Sequence, residues 1–471
     1  MSNLHPELLQ RLHAAVGDAG LLTDDEAKAP YETDWLKKYT GRSSIVVRPA
    51  DTAQTAAVMR ICHETHTPVV TQGGNTGMSG GATPDGSGAQ VVLSTVRMKA
   101  IREVDPLNNT LTCEAGVLLA HIQAAAHDVD RFFPLSLGSE GSCTIGGNLA
   151  TNAGGIAVLR YGNARELALG LEVVLPDGQV WNGLRALRKD NTGYDLRDLF
   201  IGSEGTLGVI TAAVLKLYPR PIARATAWVG TRDIDALVQL LAQLRGACGE
   251  RLVAFEMMSA ESLALILAHV TDVRSPLTGD HAFHALIELA DTQGEGLAAL
   301  LEGALGDALE NEWVQDVAVS VSGAQAQSFW KIREGISQAQ MRAGKAIKHD
   351  IALPIPAIPA FAMQAEAALR EVQPEVRIIN FGHLGDGNLH YNVLLPLDTP
   401  TDVLADTTVR FNRIVHDLVA AANGSISAEH GVGQLRRDEL RHYKSDVEFD
   451  LMMRIKRSLD PNQIMNPGKL V

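Results

Sequence analysis

The 471-residue sequence predicts an α+β protein of two domains. The chain is longer than the roughly 250–300 residues that one hydrophobic core usually serves. Its first part alternates short apolar strands with helices and contains three glycine-rich segments, whereas its second part alternates strands with alanine- and leucine-rich helices. The second pattern is typical of an antiparallel sheet covered by helices. We expect a first domain over residues 1–221, a second α+β domain with a large antiparallel sheet over 222–424, and a C-terminal segment over 425–471 that returns to the first domain.

The first domain is predicted to begin with a β-α-β unit. Residues 44–49 (SIVVRP) and 68–72 (PVVTQ) are short apolar runs, and the sequence between them has helical periodicity. A strand over 110–116 and a helix over 118–129 follow. The run LEVVLPDGQVW predicts a hairpin, because Pro-Asp-Gly at its centre is a common turn sequence.

The second domain is predicted to contain four strands in the runs RATAWVG, RLVAFEMM, HAFHALIEL and VQDVAVSVS. Residues 329–354 predict a helix followed by a strand, and a further helix is expected over 402–422. The run FGHLGDGNLHYNV (381–393) predicts two strands joined by the turn LGDGN, since glycine, aspartate and asparagine are typical turn residues.

Composition and charge exclude several classes of function. The formal net charge is −14 and no lysine or arginine cluster is present, so we expect no nucleic-acid partner. No apolar run approaches the roughly 20 residues of a membrane span, and the N-terminal sequence lacks the apolar core of a signal peptide. Cys62, Cys113, Cys143 and Cys248 have no paired spacing, which favours reduced thiols. We expect a cytoplasmic protein without an integral membrane segment.

The glycine-rich segments predict a site for a large cofactor. Segment 71–81 (TQGGNTGMSGG) follows a strand, but it lacks the GxGxxG spacing, the Walker lysine and the following helix of the usual nucleotide loops. Its backbone N–H groups can still form a nest for a phosphate. Segment 134–155 contains Glu140 as its one charged residue, and 201–208 (IGSEGTLG) is a third such segment. Each alone is equally compatible with a mobile surface loop, whereas the three together favour one long cofactor.

These motifs resemble a known family. The runs VVRPADT, TQGGNTGMSGG, TIGGNLATNAGG, FIGSEGTLGVIT and LDPNQIMNPGK are similar to those of FAD-dependent oxidoreductases of the vanillyl-alcohol-oxidase/p-cresol-methylhydroxylase fold, in the D-2-hydroxyacid dehydrogenase branch. The resemblance runs through essentially the whole chain. It implies an FAD-binding domain in two parts of the chain and an α+β substrate-binding cap domain.

The resemblance also implies which residues contact FAD. The first glycine segment would wrap the pyrophosphate, the second would line pyrophosphate, ribose and flavin, and the third would approach the adenine or the ring edge. No histidine stands between residues 71 and 81, where many relatives outside this branch attach the flavin, so we expect non-covalent FAD. The implied contacts are Pro49, Gly73, Gly74, Asn75, Thr76, Gly77, Met78, Ser79, Ser139, Ser142, Thr144, Gly147, Asn148, Thr151, Asn152, Gly154, Gly155, Glu204, Gly208, Ile210 and Asn466.

Two histidines in the hairpin over 381–393 predict part of a metal site. His383 and His390 can face each other across such a hairpin at ligand distance, although a lone pair of histidines is more often structural. The run SISAEHGVG adds Glu429 as a third ligand and His430 as a base, unless these two are merely a polar pair at a strand end. In the branch that the sequence resembles, the residues that match His383, His390 and Glu429 are metal ligands, and the residue that matches His430 is the base. Zinc is the first expectation, with manganese and cobalt left open.

A cationic group predicts an acidic substrate. Arg333 and Ser337 share a helical face, and Lys348 comes from the following strand. From the residues alone, a solvated helix face explains this spacing at least as well. In members that oxidise 2-hydroxyglutarate, an arginine, a serine or threonine and a lysine at matching spacing bind the distal carboxylate. Asn392 is a further candidate for contact with substrate.

The expected function is oxidation of a D-2-hydroxy acid to the 2-oxo acid, with His430 as general base and FAD as hydride acceptor. D-2-hydroxyglutarate is the first expected substrate and D-malate the next. A D-lactate or glycolate dehydrogenase, a metal-free sugar-oxidising flavoenzyme of the same fold and an FAD-binding assembly subunit remain alternatives. We expect an electron-transfer flavoprotein or a quinone as acceptor, and a homodimer only from the frequency of dimers among oligomers.

Overall fold

The computed structural model describes residues 6–471. The α-helices are α1 Pro6–Val16, α2 Asp25–Glu32, α3 Thr52–Glu64, α4 Leu119–Asp128, α5 Ile145–Ala150, α6 Val158–Tyr161, α7 Ala164–Leu167, α8 Arg197–Phe200, α9 Ile234–Cys248, α10 Ala260–His269, α11 Leu297–Glu310, α12 Gly323–Ala343, α13 Ile358–Val372, α14 Thr401–Ala421, α15 Arg437–Tyr443 and α16 Asp446–Leu459. Among these helices none is both long and apolar enough to cross a membrane.

The strands are β1 Leu21–Leu22, β2 Ser43–Val47, β3 Val69–Gln72, β4 Gln90–Ser94, β5 Ile101–Asp105, β6 Thr110–Glu114, β7 Arg131–Phe132, β8 Ala168–Val174, β9 Val180–Gly183, β10 Val209–Lys216, β11 Tyr218–Pro219, β12 Ala223–Thr231, β13 Leu252–Ser259, β14 Phe283–Asp291, β15 Asp316–Val319, β16 Lys345–Ile347, β17 Asp350–Ala352, β18 Arg377–His383 and β19 Asn388–Leu395. The strands and helices expected from the sequence over 44–129 and 222–422 are present, except that the single strand expected after α12 is divided into β16 and β17, and α12 begins six residues before the expected start.

The chain divides into two compact units. Unit 1 comprises Met1–Gly155, Gly162–Arg220 and Glu429–Val471, and unit 2 comprises Ile156–Tyr161 and Pro221–Ala428. These ranges differ from the expected domain ranges at residues 156–161, at Pro221 and at residues 425–428. Residues 156–161 belong to unit 2, where the Arg160 guanidinium donates to the carbonyl of Ala290 at 2.7 Å. Residues 425–428 also belong to unit 2.

Unit 1 contains two main sheets. The first has the strand order β1-β2-β4-β3, with β2, β4 and β3 parallel to one another. The predicted β-α-β unit is present, but β4 lies between its two strands. Helix α3 begins after Asp51, whose carboxylate accepts a hydrogen bond from the N–H of Gln54 at 2.8 Å and so satisfies one free donor of the first turn.

The second sheet of unit 1 is antiparallel, with the order β5-β6-β10-β8-β9. The predicted hairpin forms its edge, where β8 pairs with β9 and Gly178 turns the chain at φ 84°. Strands β8 and β10 are almost entirely buried, which explains why their sequences are mainly apolar. The first glycine-rich segment lies at the end of β3, the second lies between β7 and β8, and the third lies before β10.

Unit 2 is built on an eight-stranded antiparallel sheet with the order β15-β12-β14-β13-β18-β19-β16, in which β17 also pairs with β19. Side chains alternate between its two faces. Met257, Leu389 and Val393 pack in one core with α9, α11, α13 and α14, and Met258 and Phe381 pack in a second core with α10 and α12. The predicted α+β class with a large antiparallel sheet is confirmed.

Candidate functional site

A cavity in unit 1 is lined by all three glycine-rich segments. The predicted cofactor contacts that line it are Gly73, Gly74, Asn75, Thr76, Gly77, Ser79, Thr144, Gly147, Asn148, Thr151, Glu204, Gly208 and Ile210. His430 lines the same cavity. The structure therefore brings together, within one unit, the glycine segments and the residue that the sequence suggests as the base.

The glycines are required where segments approach each other closely. A Cβ on Gly74 would overlap the carbonyl oxygen of Ser142, which belongs to the second segment. A Cβ on Gly205, which has φ 71°, would overlap the hydroxyl of Thr71, the first residue of the first segment. The three segments thus form one backbone cradle, and larger residues at these positions would push its walls apart.

The cradle fits a phosphate-containing cofactor. The Thr144 hydroxyl is buried in the cavity wall and has no hydrogen-bond partner among residues 6–471, which leaves a polar group that a ligand can satisfy. Asn75 and Glu204 adopt left-handed backbone conformations at φ 54° and 51°, which is uncommon for residues with a side chain and frequent at functional sites. Part of segment 134–155 forms the short helix α5, which the sequence analysis did not predict.

Glu204 and Ser79 hold the backbone around His430. The Glu204 carboxylate accepts hydrogen bonds from the N–H groups of Val432 and Gly433, both at 2.7 Å. The Ser79 hydroxyl lies 3.1 Å from the carbonyl oxygens of His430 and Gly431, to which it can donate. Burial raises the pKa of Glu204, while the two N–H donors oppose that shift. The sequence analysis assigned both residues to FAD, whereas the structure also shows them restraining the loop of His430.

Other predicted cofactor residues stabilise the backbone of the cradle or lie next to it. The Asn466 side chain donates to the carbonyls of Gly81 and Glu204 at 2.9 and 2.8 Å, which joins the C-terminal segment to the cradle. The Asn152 side chain accepts from the N–H of Arg165 at 3.0 Å. The remaining residues lie beside these elements: Pro49 is buried after β2, Met78 is in the first segment, Ser139 and Ser142 precede α5, and Gly154 and Gly155 are buried after it.

Glu429 and His430 begin the last part of unit 1. Their side chains are about a fifth exposed, and the His430 Nε2 atom lies 3.8 Å from the nearer Glu429 carboxylate oxygen. Ala428, the residue before them, donates its N–H to the carbonyl of Asp350 at 3.1 Å within unit 2. Glu429 and His430 therefore directly follow a residue that is hydrogen-bonded to β17.

The two hairpin histidines are close but do not face each other, which corrects the sequence analysis. His383 pairs across the ladder with Asn388, and His390 pairs with Phe381. His383 and His390 are diagonal neighbours on one sheet face, with ring centroids 5.7 Å apart. The difference arises because the connection has four residues, 384–387, with Gly387 at φ 86°.

Two acidic residues beside these histidines were missed from the sequence. Glu256 lies directly opposite His383 on β13, and its carboxylate oxygen lies 2.7 Å from the His383 Nδ1 atom. Asp350 lies opposite His390 on β17, with 3.8 Å between the His390 Nδ1 atom and the nearer Asp350 oxygen. Both carboxylates are about 1% exposed. A lone acidic residue in an otherwise apolar strand was the available signal for both.

The three residues of the predicted cationic group lie in unit 2, but their partners and positions differ from those expected. Arg333 is buried on α12 and forms a salt bridge with Glu256, whose oxygen is 2.7 Å from the Arg333 Nη2 atom. Ser337 is exposed on the same helix. Lys348 follows the end of β16 instead of lying within the strand, and burial lowers its pKa. Arg333 therefore has an internal counter-charge that the sequence analysis did not include.

Asn392 lies on the same sheet face as the histidines but is committed to internal hydrogen bonds. Its side-chain oxygen accepts from the N–H of His349 at 3.1 Å, and its side-chain nitrogen donates to Gln340 at 3.0 Å. It is 4% exposed. This arrangement ties β19 to α12 and gives Asn392 a structural role whatever its part in substrate binding.

Comparisons with known proteins agree with these features. The model of an FAD binding domain matches residues 43–183, and that of the C-terminal domain of FAD linked oxidases matches residues 220–470. A D-2-hydroxyglutarate dehydrogenase of Stutzerimonas stutzeri is 37% identical, with 99% of each chain covered. A probable mitochondrial D-2-hydroxyglutarate dehydrogenase of Oryza sativa subsp. indica is 36% identical over 100% of this chain and 82% of its own length.

A solved structure shows the same fold. Substrate-bound p-cresol methylhydroxylase superposes with a TM-score of 0.77 at 18% identity, covering 98% of this chain and 96% of the other. At that identity the likeness concerns the fold alone. The family models and the full-length relatives show that the chain belongs to the FAD-linked oxidases, in their D-2-hydroxyacid dehydrogenase branch, and is an FAD-dependent oxidoreductase with the fold of p-cresol methylhydroxylase.

Proposed function

We propose that this protein oxidises D-2-hydroxyglutarate to the 2-oxo acid, with non-covalent FAD and a divalent metal, zinc first, as its cofactors. The observation that carries the proposal is the full-length similarity to D-2-hydroxyglutarate dehydrogenases, at 37% identity over 99% of both chains in one case. D-malate, a shorter dicarboxylate of the same configuration, is the second proposed substrate.

The proposed roles follow from the residues already described. When bound, FAD supplies the acceptor for a hydride from C2 of the substrate, and the metal supplies positive charge that favours loss of the hydroxyl proton. The unit 1 cradle holds the cofactor, and His430, which lines the same cavity, takes the hydroxyl proton. His383, His390 and Glu429 are the proposed metal ligands, and the donor set of two imidazoles and a carboxylate suits a catalytic divalent ion.

Distal binding of the substrate is assigned to Arg333, Lys348 and Ser337, with Asn392 as a further candidate. The Arg333 Nε–H donates to Glu256, whereas its Nη2 atom is buried without a hydrogen-bond partner among residues 6–471, so the guanidinium keeps donors for a carboxylate. Burial lowers the pKa of Lys348, which means that a neighbouring anion would stabilise its charged form. The pairing of Arg333 with Glu256 makes substrate length harder to infer than the sequence suggested, because a small substrate would not leave Arg333 without a counter-charge.

Oxidation of D-lactate or glycolate is the second candidate for this reason. A metal-free sugar-oxidising flavoenzyme of the same fold is a third, but such an enzyme has no use for the His383 and Glu256 pair. The complete set of His383, His390, Glu429 and His430 likewise argues against a subunit that serves assembly alone. We also propose an electron-transfer flavoprotein or a quinone as electron acceptor and a homodimer as the assembly. A cytoplasmic location is proposed on the four free, buried cysteines.

Substrate length is tested by Lys348→Met, with Lys345→Met as the matched control. Lys345 is nearby in sequence, but its ammonium donates to the carbonyl of Thr399 at 2.6 Å, so it already has a structural partner. We expect Lys348→Met to lower kcat/KM for D-2-hydroxyglutarate and D-malate at least about tenfold, the effect of losing one charged hydrogen bond, and to change the value for D-lactate little. Equal losses on all three substrates would contradict a distal-carboxylate role.

A further inference from the structure

Glu256 is a buried carboxylate in the middle of an apolar strand. Its neighbours on β13, Phe255, Met257 and Met258, belong to the hydrophobic cores, and Glu256 itself is 1% exposed. Burial of an ionised carboxylate costs several kcal/mol, and opposite charges with good hydrogen-bond geometry are needed to offset that cost. Glu256 therefore depends on the cations around it.

Two side chains satisfy the Glu256 carboxylate, one at each oxygen. Oε1 lies 2.7 Å from Nδ1 of His383, and Oε2 lies 2.8 Å from Nε and 2.7 Å from Nη2 of Arg333. His383 is the direct cross-strand neighbour of Glu256, whereas Arg333 reaches it from helix α12. The three residues share the sheet face covered by α10 and α12. The Arg333 guanidinium beside Oε2 favours the ionised form of the Glu256 carboxylate.

The contact determines the tautomer of His383. An ionised carboxylate can only accept a hydrogen bond, so the hydrogen must lie on Nδ1 of His383. The lone pair of the neutral ring is then on Nε2, the nitrogen that a metal ligand would use. A carboxylate bonded to the far nitrogen of a ligating histidine also fixes the ring orientation and raises the basicity of the ligand.

The same carboxylate fixes Arg333. Its Nε–H donates to Glu256 at 2.8 Å, its Nη2 atom lies 2.7 Å from the same oxygen, and the guanidinium lies over the Phe381 ring at 5.1 Å from its centroid. These contacts hold the side chain in one orientation and balance its charge. One carboxylate thus sets the geometry of two residues that the proposed function uses for different ends of the substrate.

We propose that Glu256 is a positioning residue that orients His383 for metal binding and Arg333 for binding of the substrate's distal carboxylate. This inference rests on the proposed function, which supplies the roles of His383 and Arg333. The new element is that His383 and Arg333 are coupled through Glu256, so that a single change at Glu256 weakens both metal affinity and substrate affinity. A purely structural ion pair would affect stability only.

Glu256→Gln tests the coupling, with Glu288→Gln as the matched control. Glu288 is a buried carboxylate on the adjacent strand β14 and the same sheet face, but it contacts Arg224 and Trp330 instead of a histidine. The primary readout is metal affinity of the FAD-loaded protein, measured with zinc by competition against a chelator and without substrate. The second readouts are FAD content, melting temperature and KM for D-2-hydroxyglutarate.

We expect Glu256→Gln to weaken zinc binding about 10- to 100-fold, as is usual for a carboxylate behind a ligating histidine, and to raise KM while FAD content stays the same. Glu288→Gln should lower the melting temperature without changing zinc affinity. Unchanged zinc affinity in Glu256→Gln, or equal losses in both variants, would overturn the inference. If Glu256→Gln does not fold, the double variant Glu256→Met/Arg333→Met decides the matter, since apolar replacement of a whole buried ion pair is usually tolerated and should weaken zinc binding equally.

Zinc affinity and turnover separate the two proposals. A wild-type protein that binds zinc through this site but does not reduce its flavin with D-2-hydroxyglutarate would contradict the proposed substrate and leave the metal test of Glu256 valid. A wild-type protein that oxidises D-2-hydroxyglutarate but binds no zinc would overturn the role of Glu256 in metal binding while leaving the proposed substrate in place.

Discussion

The cavity of unit 1 and the histidine pair of unit 2 are built by different means. In unit 1, glycine-rich backbone from three segments forms the walls, and even the loop of His430 is held through its N–H and carbonyl groups by Glu204 and Ser79. In unit 2, side chains from separate strands and a helix hold one another, as Glu256 holds His383 and Arg333. Backbone cradles tolerate few changes of size, whereas side-chain networks are sensitive to the loss of single polar groups.

The largest expected effect is at Gly74. In Gly74→Ala the new methyl group would overlap the Ser142 carbonyl and separate the first two segments. We expect FAD affinity to fall at least about 100-fold, roughly 2.7 kcal/mol, with loss of all activity and no change in zinc affinity. FAD content by absorbance and zinc content by mass spectrometry measure this. Gly86→Ala, where a Cβ meets nothing within 4 Å, is the control. Normal FAD content in Gly74→Ala would refute the backbone cradle.

The reciprocal change is His390→Ala. It removes a proposed ligand from unit 2, so zinc should be lost and turnover should fall about 1000-fold, since a metal contributes several kcal/mol to such a reaction. The flavin absorbance should stay the same, because the cradle lies in unit 1. His442→Ala, an exposed histidine on α15, serves as control. Retained turnover in zinc-free His390→Ala would refute the metal assignment.

His430→Gln separates the base from both binding sites. We expect flavin reduction to slow about 100-fold or more, the usual contribution of a general base, while FAD and zinc contents remain those of the wild type. Stopped-flow measurement of flavin bleaching from pH 6 to 9 gives the rate. A variant that reduces at the wild-type rate would leave His430 as a residue of the cavity wall only.

A smaller effect is expected at Glu204. Glu204→Gln places an amide N–H against a backbone N–H of the 432–433 loop and loses one hydrogen bond, at a cost of about 1–3 kcal/mol. Displacement of His430 should lower kcat about tenfold with most FAD retained. Glu103→Gln, an exposed residue of β5, should change neither. Loss of FAD without any effect on kcat of the loaded enzyme would show that Glu204 serves the cofactor instead.

The last prediction concerns the acid stability of unit 2 and leaves both binding sites unchanged. Burial, with the nearby His281, lowers the pKa of His284 to about 4. As pH falls below about 6.5, the unfolded state takes up the proton first, so the stability that neutral His284 allows is complete above that pH and is lost towards pH 4. The loss is on the order of 3 kcal/mol. The free energy of unfolding, measured with denaturant at pH 7 and pH 5, should differ less between the two pH values in His284→Gln than in the wild type. An equal difference in both proteins would contradict the role of His284 in acid stability.

The contrast between the two regions also explains what the sequence could reveal. Each glycine-rich segment is contiguous and its residue types are unusual, so the cofactor cradle and most of its lining residues were predictable. Glu256 and Asp350 were not, because their roles depend on the register of β13 with β18 and of β17 with β19, which brings together residues more than 30 positions apart. The exact pairing of His383 depended on a four-residue connection whose geometry the turn sequence alone does not determine.

We propose that unit 1 binds the flavin and that a metal held by His383, His390 and Glu429 is needed for the substrate to reduce it. The most direct test is anaerobic mixing of the purified enzyme with D-2-hydroxyglutarate, L-2-hydroxyglutarate, D-malate and D-lactate, each with and without a chelator. The account predicts rapid bleaching of the flavin by the D-dicarboxylates, lost on chelation and restored by zinc, with no loss of bound FAD. Bleaching that is indifferent to chelation, or none with any D-2-hydroxy acid, would contradict it.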